Sequence, residues 1–286
     1  MIPGRNRCHL APRRAEAVSV LRDAATVALL RDTHGRFEVF LLKRHPDSRF
    51  MGGSYVFPGG SLDDDDTDLG LLSRCQGVTL HEAAARMSLA PEHALGHWCA
   101  ALRETFEESG ILFAGQERGE PDWASDGFQA RLQRHRLNLL DGSLDWGGIL
   151  VAEDLRLRCD ALVYFAHWIT PEGVPKRFNT RFFVARAPER QVASACGQEL
   201  VEGRWITPNE ALAAHARGDM PMLFPTQKTL QFLSGFQDVQ RCLDACMALD
   251  VVPCQPRIVT VAGVTHFVLP GDAHYEDAPS AAFEAP

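Results

Sequence analysis

Three glutamates crowd one short segment, "ALRETFEESGI" at residues 101 to 111: Glu104, Glu107 and Glu108, with Arg103 beside them. On a helix, positions i, i+3 and i+4 share a face, so the three carboxylates project into one small region and repel one another. The repulsion costs about 0.2–0.5 kcal/mol per pair, which a solvated face tolerates, so a merely acidic helix end is one reading. The other is a hard divalent cation, which takes oxygen ligands. Thr105, Phe106 and Ile111 mark the neighbouring positions as partly buried, and Gly110 supplies a helix stop directly after the acids. Both details weigh towards the cation.

Upstream, "YVFPGGSL" predicts a tight loop in which Pro58, Gly59 and Gly60 let the backbone approach something closely. The "DDDDTD" run that follows reads as a solvated loop, with metal contact as the alternative. The elements that must hold these pieces are legible as patterns. "AATVALLRDTHGRFEVFLLKR" reads as two strands turning at His34-Gly35, and residues 79–90 and 92–109 carry helical spacing. A further helix is expected over 120–140. "CDALVYFAHWITP" and "RFNTRFFVARAP" have strand character, and "LVEGRWITPNEALAAHARG" gives a strand and then a helix opened by Thr207-Pro208. Residues 225–249 read as one long helix and "RIVTVAGVTHFVLPG" as a hairpin around Ala262-Gly263. No internal repeat is present. The mixture predicts α/β or α+β layers around one core.

The chain of 286 residues is 45% hydrophobic with a net charge of −8, which gives no overall positive field for non-specific nucleic-acid binding. No run approaches the ~18 apolar residues of a membrane span. The N-terminal segment has arginines but no apolar core of a secretory signal, so a cytoplasmic location is expected. The eight cysteines, Cys8, Cys75, Cys99, Cys159, Cys196, Cys242, Cys246 and Cys254, are scattered in sequence, as expected of reduced thiols. Cys242, Cys246 and Cys254 raise the question of a zinc site. The helical spacing of the first two and the lack of a CxxC pair favour packed thiols.

"FPGG" at 57–60 together with "RETFEESGI" at 103–111 resembles the Nudix box, G-x5-E-x7-R-E-U-x-E-E-x-G-U with U apolar. Arg103, Glu104, Glu107, Glu108, Gly110 and Ile111 match its second half, with Thr105 where a larger aliphatic is usual. The first half departs: five residues after Gly60 stands Asp66 rather than Glu, and 36 residues from Thr67 to Leu102 replace the expected seven. A segment over about residues 67–91 is inserted, and no role is assigned to Asp66. The resemblance implies a Nudix fold, a mixed β-sheet sandwiched between helices. It also implies that Glu107 and Glu108 are the principal ligands of Mg²⁺ or Mn²⁺, that the Gly59 carbonyl adds a ligand, that Glu104 binds metal or orients the attacking water, and that Arg103 holds the glutamates. A further acid often comes from a late loop of such proteins; Glu199 is the first choice here and Glu202 its competitor.

"FLLKRHPDSRFMGGSYVFPGG" at 40–60 resembles the extension that coenzyme A diphosphatases carry before the box, with Arg44, Arg49, Gly53 and Phe57 to Gly60 at matching intervals and Leu42 and His45 departing from it. Arginines suit phosphates through bidentate contacts; a surface salt-bridge pair is the plainer alternative. The long insertion, "RFNTRFF", "ELVEGRWITPNEAL" and "LFPTQKTLQFL" are similar to the longer Nudix branch that includes peroxisomal acyl-coenzyme A diphosphatases, over roughly residues 20–270, though that branch often has Asp at the position of Asn179. The sequence ends in Glu-Ala-Pro rather than a Ser-Lys-Leu type signal, so peroxisomal import is not expected.

The implied activity is metal-dependent hydrolysis of the diphosphate of coenzyme A or acyl-coenzyme A to adenosine 3',5'-bisphosphate and (acyl-)phosphopantetheine. NADH, ADP-ribose or another nucleoside diphosphate derivative is the alternative substrate, and a non-catalytic Nudix-fold binding module the alternative class. Gly60 is placed with Arg44 and Arg49 at the substrate, and Phe178, Phe182 and Trp168 either border a groove for the pantetheine or acyl arm or pack in the core. The expected organisation is an N-terminal arm (1–18), a Nudix domain (19–222), a C-terminal helix and hairpin extension (223–272) and a disordered tail (273–286). Neither nucleic acid nor membrane is an expected partner, and a homodimer is left open.

Overall fold

The computed structural model describes residues 20–48, 51–117, 119–197, 199–261, 264–272 and 275. Arg49, the arm 1–18, the turn at 262–263 and all of the tail except residue 275 lie outside the described residues.

β1 (Leu21–Thr33) and β2 (Arg36–Arg44) form the expected hairpin. His34 and Gly35 sit at φ 48° and 73°, the paired left-handed conformations that match a two-residue turn to the twist of its strands. β3 (Tyr55–Val56) and β4 (Gly59–Ser61) follow, then a 3₁₀ turn at Asp64–Thr67. Next come α1 (Leu69–Leu72), β5 (Cys75–Gln76), α2 (Leu80–Met87), α3 (Pro91–Ser109), β6 (Ala114–Gly115), α4 (Asp126–Leu140), α5 (Trp146–Ala152) and β7 (Arg156–Arg158). The remaining elements are β8 (Val163–Ile169), β9 (Arg177–Arg186), β10 (Leu200–Ile206), α6 (Pro208–Ala216), α7 (Phe224–Leu233), α8 (Val239–Met247), β11 (Pro253–Cys254) and the paired β12 (Arg257–Val261) and β13 (Val264–Val268).

The main sheet is mixed, in the order β10-β2-β1-β9-β8-β11, with β1 and β9 parallel over ten residue pairs. β4 pairs with Ala24 to Thr26 of β1, on the edge that β2 leaves after Leu30. Both faces of the sheet are covered, so β1 reads as a nearly continuous apolar run. Ala25, Val27 and Leu29 pack with Phe183 under Leu95, Trp98 and Leu102 of α3. Ala28 and Leu30 pack with Phe182 and Val184 against Ala211, Leu230, Leu233, Val239 and Cys242 of α6, α7 and α8. This is a mixed α/β sandwich of the expected kind. The segment inserted before α3 folds into α1, β5 and α2, and both helices pack on α3.

Two expectations need correction. Residues 225–249 are not one helix: the chain leaves α7 at Ser234 and Gly235, and the Asp238 side chain accepts the Arg241 N–H at 2.8 Å to start α8 afresh. Glycine weakens a continuing helix and aspartate favours a new N-cap, so local chemistry outweighs the apolar periodicity. The cysteines are also less scattered in space than in sequence, since Cys75 Sγ lies 3.4 Å from Cys99 Sγ and Cys159 adjoins them. All seven cysteines among the described residues are free. No helix of the described residues is long and apolar enough to cross a membrane.

Candidate active site

α3 begins with Pro91 at its first turn and ends at Gly110, whose φ of 73° closes it in the left-handed cap. Its C-terminal half lies against β4, and that contact assembles the acids. The Gly59 N–H donates to Glu108 Oε2 at 2.8 Å. Gly59 itself adopts φ 154°, and a Cβ there would run into the Ala25 carbonyl and Thr26. A Cβ on Gly60 would overlap the Glu104 carboxylate. The two glycines are therefore needed for close approach, one to β1 and the other to a glutamate. Gly60→Ala is expected to push Glu104 aside and cost about 1–3 kcal/mol, the usual penalty of overpacking, read by denaturant unfolding; an unchanged midpoint would mean that the Glu104 side chain yields freely.

Arg103 is the hub of the cluster. Its Nε and Nη2 hold Asp66 bidentately at 3.0 and 2.9 Å, Nη1 donates to Glu104 and Glu107 at 3.0 Å each, and Nη2 also donates to the Ser61 carbonyl at 3.0 Å. All five guanidinium N–H groups are thereby satisfied. Burial works against its charge, but the Asp66 hydrogen bonds and the charges of Glu104, Asp66 and Glu107 outweigh it and raise its pKa. Asp66 is 1% exposed. Within the aspartate run read as a solvated loop, this residue is instead a buried anchor. The 3₁₀ turn explains how, because the Asp63 N–H donates to Asp66 Oδ2 at 2.9 Å and turns that side chain inward.

Asp66, Glu104 and Glu107 thus share one satisfied guanidinium, and a fourth carboxylate, Glu108, is held by the Gly59 N–H instead. Burial raises the pKa of Glu104 to about 7, against the pull of Arg103 and with the push of Glu107. Burial likewise raises Glu107 and Glu108, the latter with the added repulsion of Glu104 and against the Gly59 N–H. An excess of carboxylate over guanidinium, with Asp66 buried and the three glutamates half-buried, is a set of oxygen donors alone that a hard divalent cation fits.

Glu199 precedes β10, and its charge also raises Glu108. It forms an ion pair with Arg44 at the end of β2, so the structure brings together the late-loop acid expected in catalysis and a residue expected at the substrate. Glu202 is turned elsewhere: it accepts from the Tyr55 hydroxyl at 3.2 Å and lies 3.4 Å from Arg204. Phe178 is not brought to the carboxylates. It pairs with Arg22, four positions along the ladder from Thr26, roughly 13 Å away, and it shares strand parity with Phe182 and Val184, which face α6 to α8. Phe182 is core, and Trp168 packs edge-on to Phe224.

One residue without a sequence signal completes the geometry. Arg136 of α4, 2% exposed, donates from Nε to the Glu107 carbonyl at 2.8 Å and from Nη2 to the Ser194 carbonyl at 2.9 Å. It caps the end of α3 and fixes the turn that carries Glu107 and Glu108.

A mixed sheet with β1 parallel to β9, and a glycine loop seated on a glutamate-rich helix end, define a Nudix-type pyrophosphohydrolase. Residues 13–231 match the family described as NUDT19 Nudix domain, and the chain belongs to that family. It is 26% identical over 279 residues to the acyl-coenzyme A diphosphatase NUDT19 of Xenopus laevis, covering 85% of this chain and 72% of that protein. It is 27% identical over 262 residues to a putative nudix hydrolase 7 of Caenorhabditis elegans, covering 92% and 77% respectively. Among solved structures, a NUDIX hydrolase from Alicyclobacillus acidocaldarius superposes with a TM-score of 0.65 at 26% identity, over 80% of this chain and 97% of that one.

Proposed function

We propose that the protein hydrolyses the diphosphate bond of coenzyme A or acyl-coenzyme A, giving adenosine 3',5'-bisphosphate and (acyl-)phosphopantetheine. The observation that carries the hydrolytic reading is the excess of half-buried carboxylate where α3 meets the Gly59–Gly60 loop. The relatives described as acyl-coenzyme A diphosphatases support the substrate.

Nudix hydrolases generally need divalent metal ions, and Glu104, Glu107, Glu108 and the Gly59 backbone would hold Mg²⁺ or Mn²⁺ here. When bound, such an ion neutralises diphosphate oxygens and acidifies water. Arg103 keeps Glu104 and Glu107 at fixed separation through a single Nη1, and Arg136 fixes the turn that follows. Glu104, fixed by Arg103 beside Glu107, either binds the metal or orients the attacking water. Glu199 borders the cluster as the late-loop acid, held by Arg44. The free thiols fit the expected reducing, cytoplasmic setting.

The test is hydrolysis of coenzyme A, acetyl- and longer acyl-coenzyme A, NADH and ADP-ribose with Mg²⁺ or Mn²⁺, with products identified by mass. Adenosine 3',5'-bisphosphate from the coenzyme A compounds is expected. Preference for NADH or ADP-ribose would discard the substrate and keep the site; no turnover on any of them would favour a binding module.

A further inference from the structure

Two turns before Glu104, α3 carries a second set of ligand-type side chains. His93 and His97 stand at i and i+4 on one helix face, the spacing by which a helix presents two imidazoles to one metal ion. Opposite them on β1 is Asp23. One ligand atom from each of the three lies within 4.8 Å of the other two, and none of them belongs to the glutamate cluster.

We propose that Asp23, His93 and His97 form a binding site for a borderline transition-metal ion, Zn²⁺ in the first instance, which ties the first half of α3 to β1. His97 is 0% exposed, and its Nδ1 meets the His93 carbonyl at 2.9 Å. A carbonyl only accepts, so Nδ1 carries the proton and Nε2 holds a lone pair. That Nε2 is buried without a hydrogen-bond partner. Burial also holds the ring neutral, with its pKa lowered to about 4. An Nδ1–H bonded to a backbone carbonyl with a bare Nε2 is the tautomer by which histidine ligates a metal.

The other two ligands are prepared in a similar way. Asp23 Oδ1 accepts from Asn179 Nδ2 at 2.6 Å, and the Asn179 amide is fixed in that sense because Arg181 donates to its Oδ1 at 2.7 Å. Asp23 Oδ2 is left with His93 Nε2 at 2.8 Å. An ion entering there displaces this hydrogen bond: the neutral His93 shifts its one proton from Nε2 to Nδ1 through solvent, and the bare Nε2 and Asp23 Oδ2 both face the ion. Tetrahedral ligands at about 2.0 Å from zinc stand about 3.3 Å apart, so closing separations of no more than 4.8 Å takes about 1.5 Å at most. His93 and Asp23, with side chains 40% and 31% exposed, have room to make them and leave an open side for water as a fourth ligand. Two imidazoles and one carboxylate suit zinc and its neighbours, whereas the all-oxygen cluster further along α3 suits magnesium or manganese.

The test is competitive titration of the full-length, chelator-treated protein with Zn²⁺ against a chromophoric chelator, alongside Co²⁺ absorption. One tight Zn²⁺ per chain is expected in the wild type and equally in the Glu107→Gln/Glu108→Gln double variant. The affinity should fall about tenfold or more in Asp23→Asn and His93→Ala, and by a similar factor in Asn179→Ala through misorientation of Asp23. Co²⁺ should give tetrahedral bands without thiolate charge transfer. Metal-free circular dichroism and melting curves identify any variant that fails to fold, and the wild-type measurements stand without the variants. The proposal is overturned if the wild type binds no Zn²⁺, if thiolate bands appear, or if folded Asp23→Asn and His93→Ala retain wild-type affinity.

Discussion

The Glu107→Gln/Glu108→Gln double variant is expected to lose turnover by about 10³-fold or more, since a divalent ion contributes several kcal/mol of transition-state stabilisation and each 1.36 kcal/mol is about tenfold in rate. The fold should survive. In the metal-free protein burial disfavours the charged form of both residues, so neutral amides relieve a cost. The sign follows from linkage: carboxyls whose folded pKa lies above the unfolded value of 4.5 bind protons more tightly in the folded state, so their contribution is full below that pH and is lost as pH rises, for Glu104 through about 7. The metal-free wild type should therefore be less stable at pH 8 than at pH 5, with a smaller difference in the double variant. Steady-state kinetics and paired urea melts at the two pH values measure both effects. Retained hydrolysis would sink the assignment of these glutamates.

The second large effect is structural. Asp66→Ala is expected to cost about 3–5 kcal/mol, the usual penalty for leaving one partner of a buried ion pair behind. Arg103 would keep its contacts to Glu104, Glu107 and Ser61 but lose its bidentate partner, leaving its Nε–H and one Nη2–H unpaired in the interior. Asp66→Asn, which keeps the shape and one acceptor, should cost less. Denaturant unfolding decides: a loss below about 1 kcal/mol, the range of exposed pairs, would mean that Arg103 is anchored elsewhere.

What was legible in the sequence was local. The Arg103 to Ile111 signature, the His34-Gly35 turn and the Thr207-Pro208 helix start, where Thr207 and Glu210 form a capping box, are written within a few residues of one another. What was not legible depends on distance along the chain. Asp66 meets Arg103 across 37 positions, and nothing in an aspartate run says which member turns inward. Arg136 reaches the Glu107 carbonyl from a helix whose sequence signals only polarity. Asp23 and His93 are 70 positions apart, so the two histidines acquire a partner only when α3 is laid on β1. Phe178 is a case of parity: an aromatic in a strand was recognisable, but the face it takes follows from the register of β9 on β1.

The insertion has a consequence for how the site forms. Lengthening the connection between Asp66 and Arg103 from seven residues to 36 raises the entropy lost on closing it by about 1.4 kcal/mol, on the logarithmic dependence of loop closure. That penalty would loosen the carboxylates if the added chain were slack. Here α1 and α2 pack on α3, with Leu71, Leu72, Ala83 and Met87 in the core that holds Leu95 and Trp98. The detour acts as a folded spacer, and closing the hub is coupled to burying its apolar face.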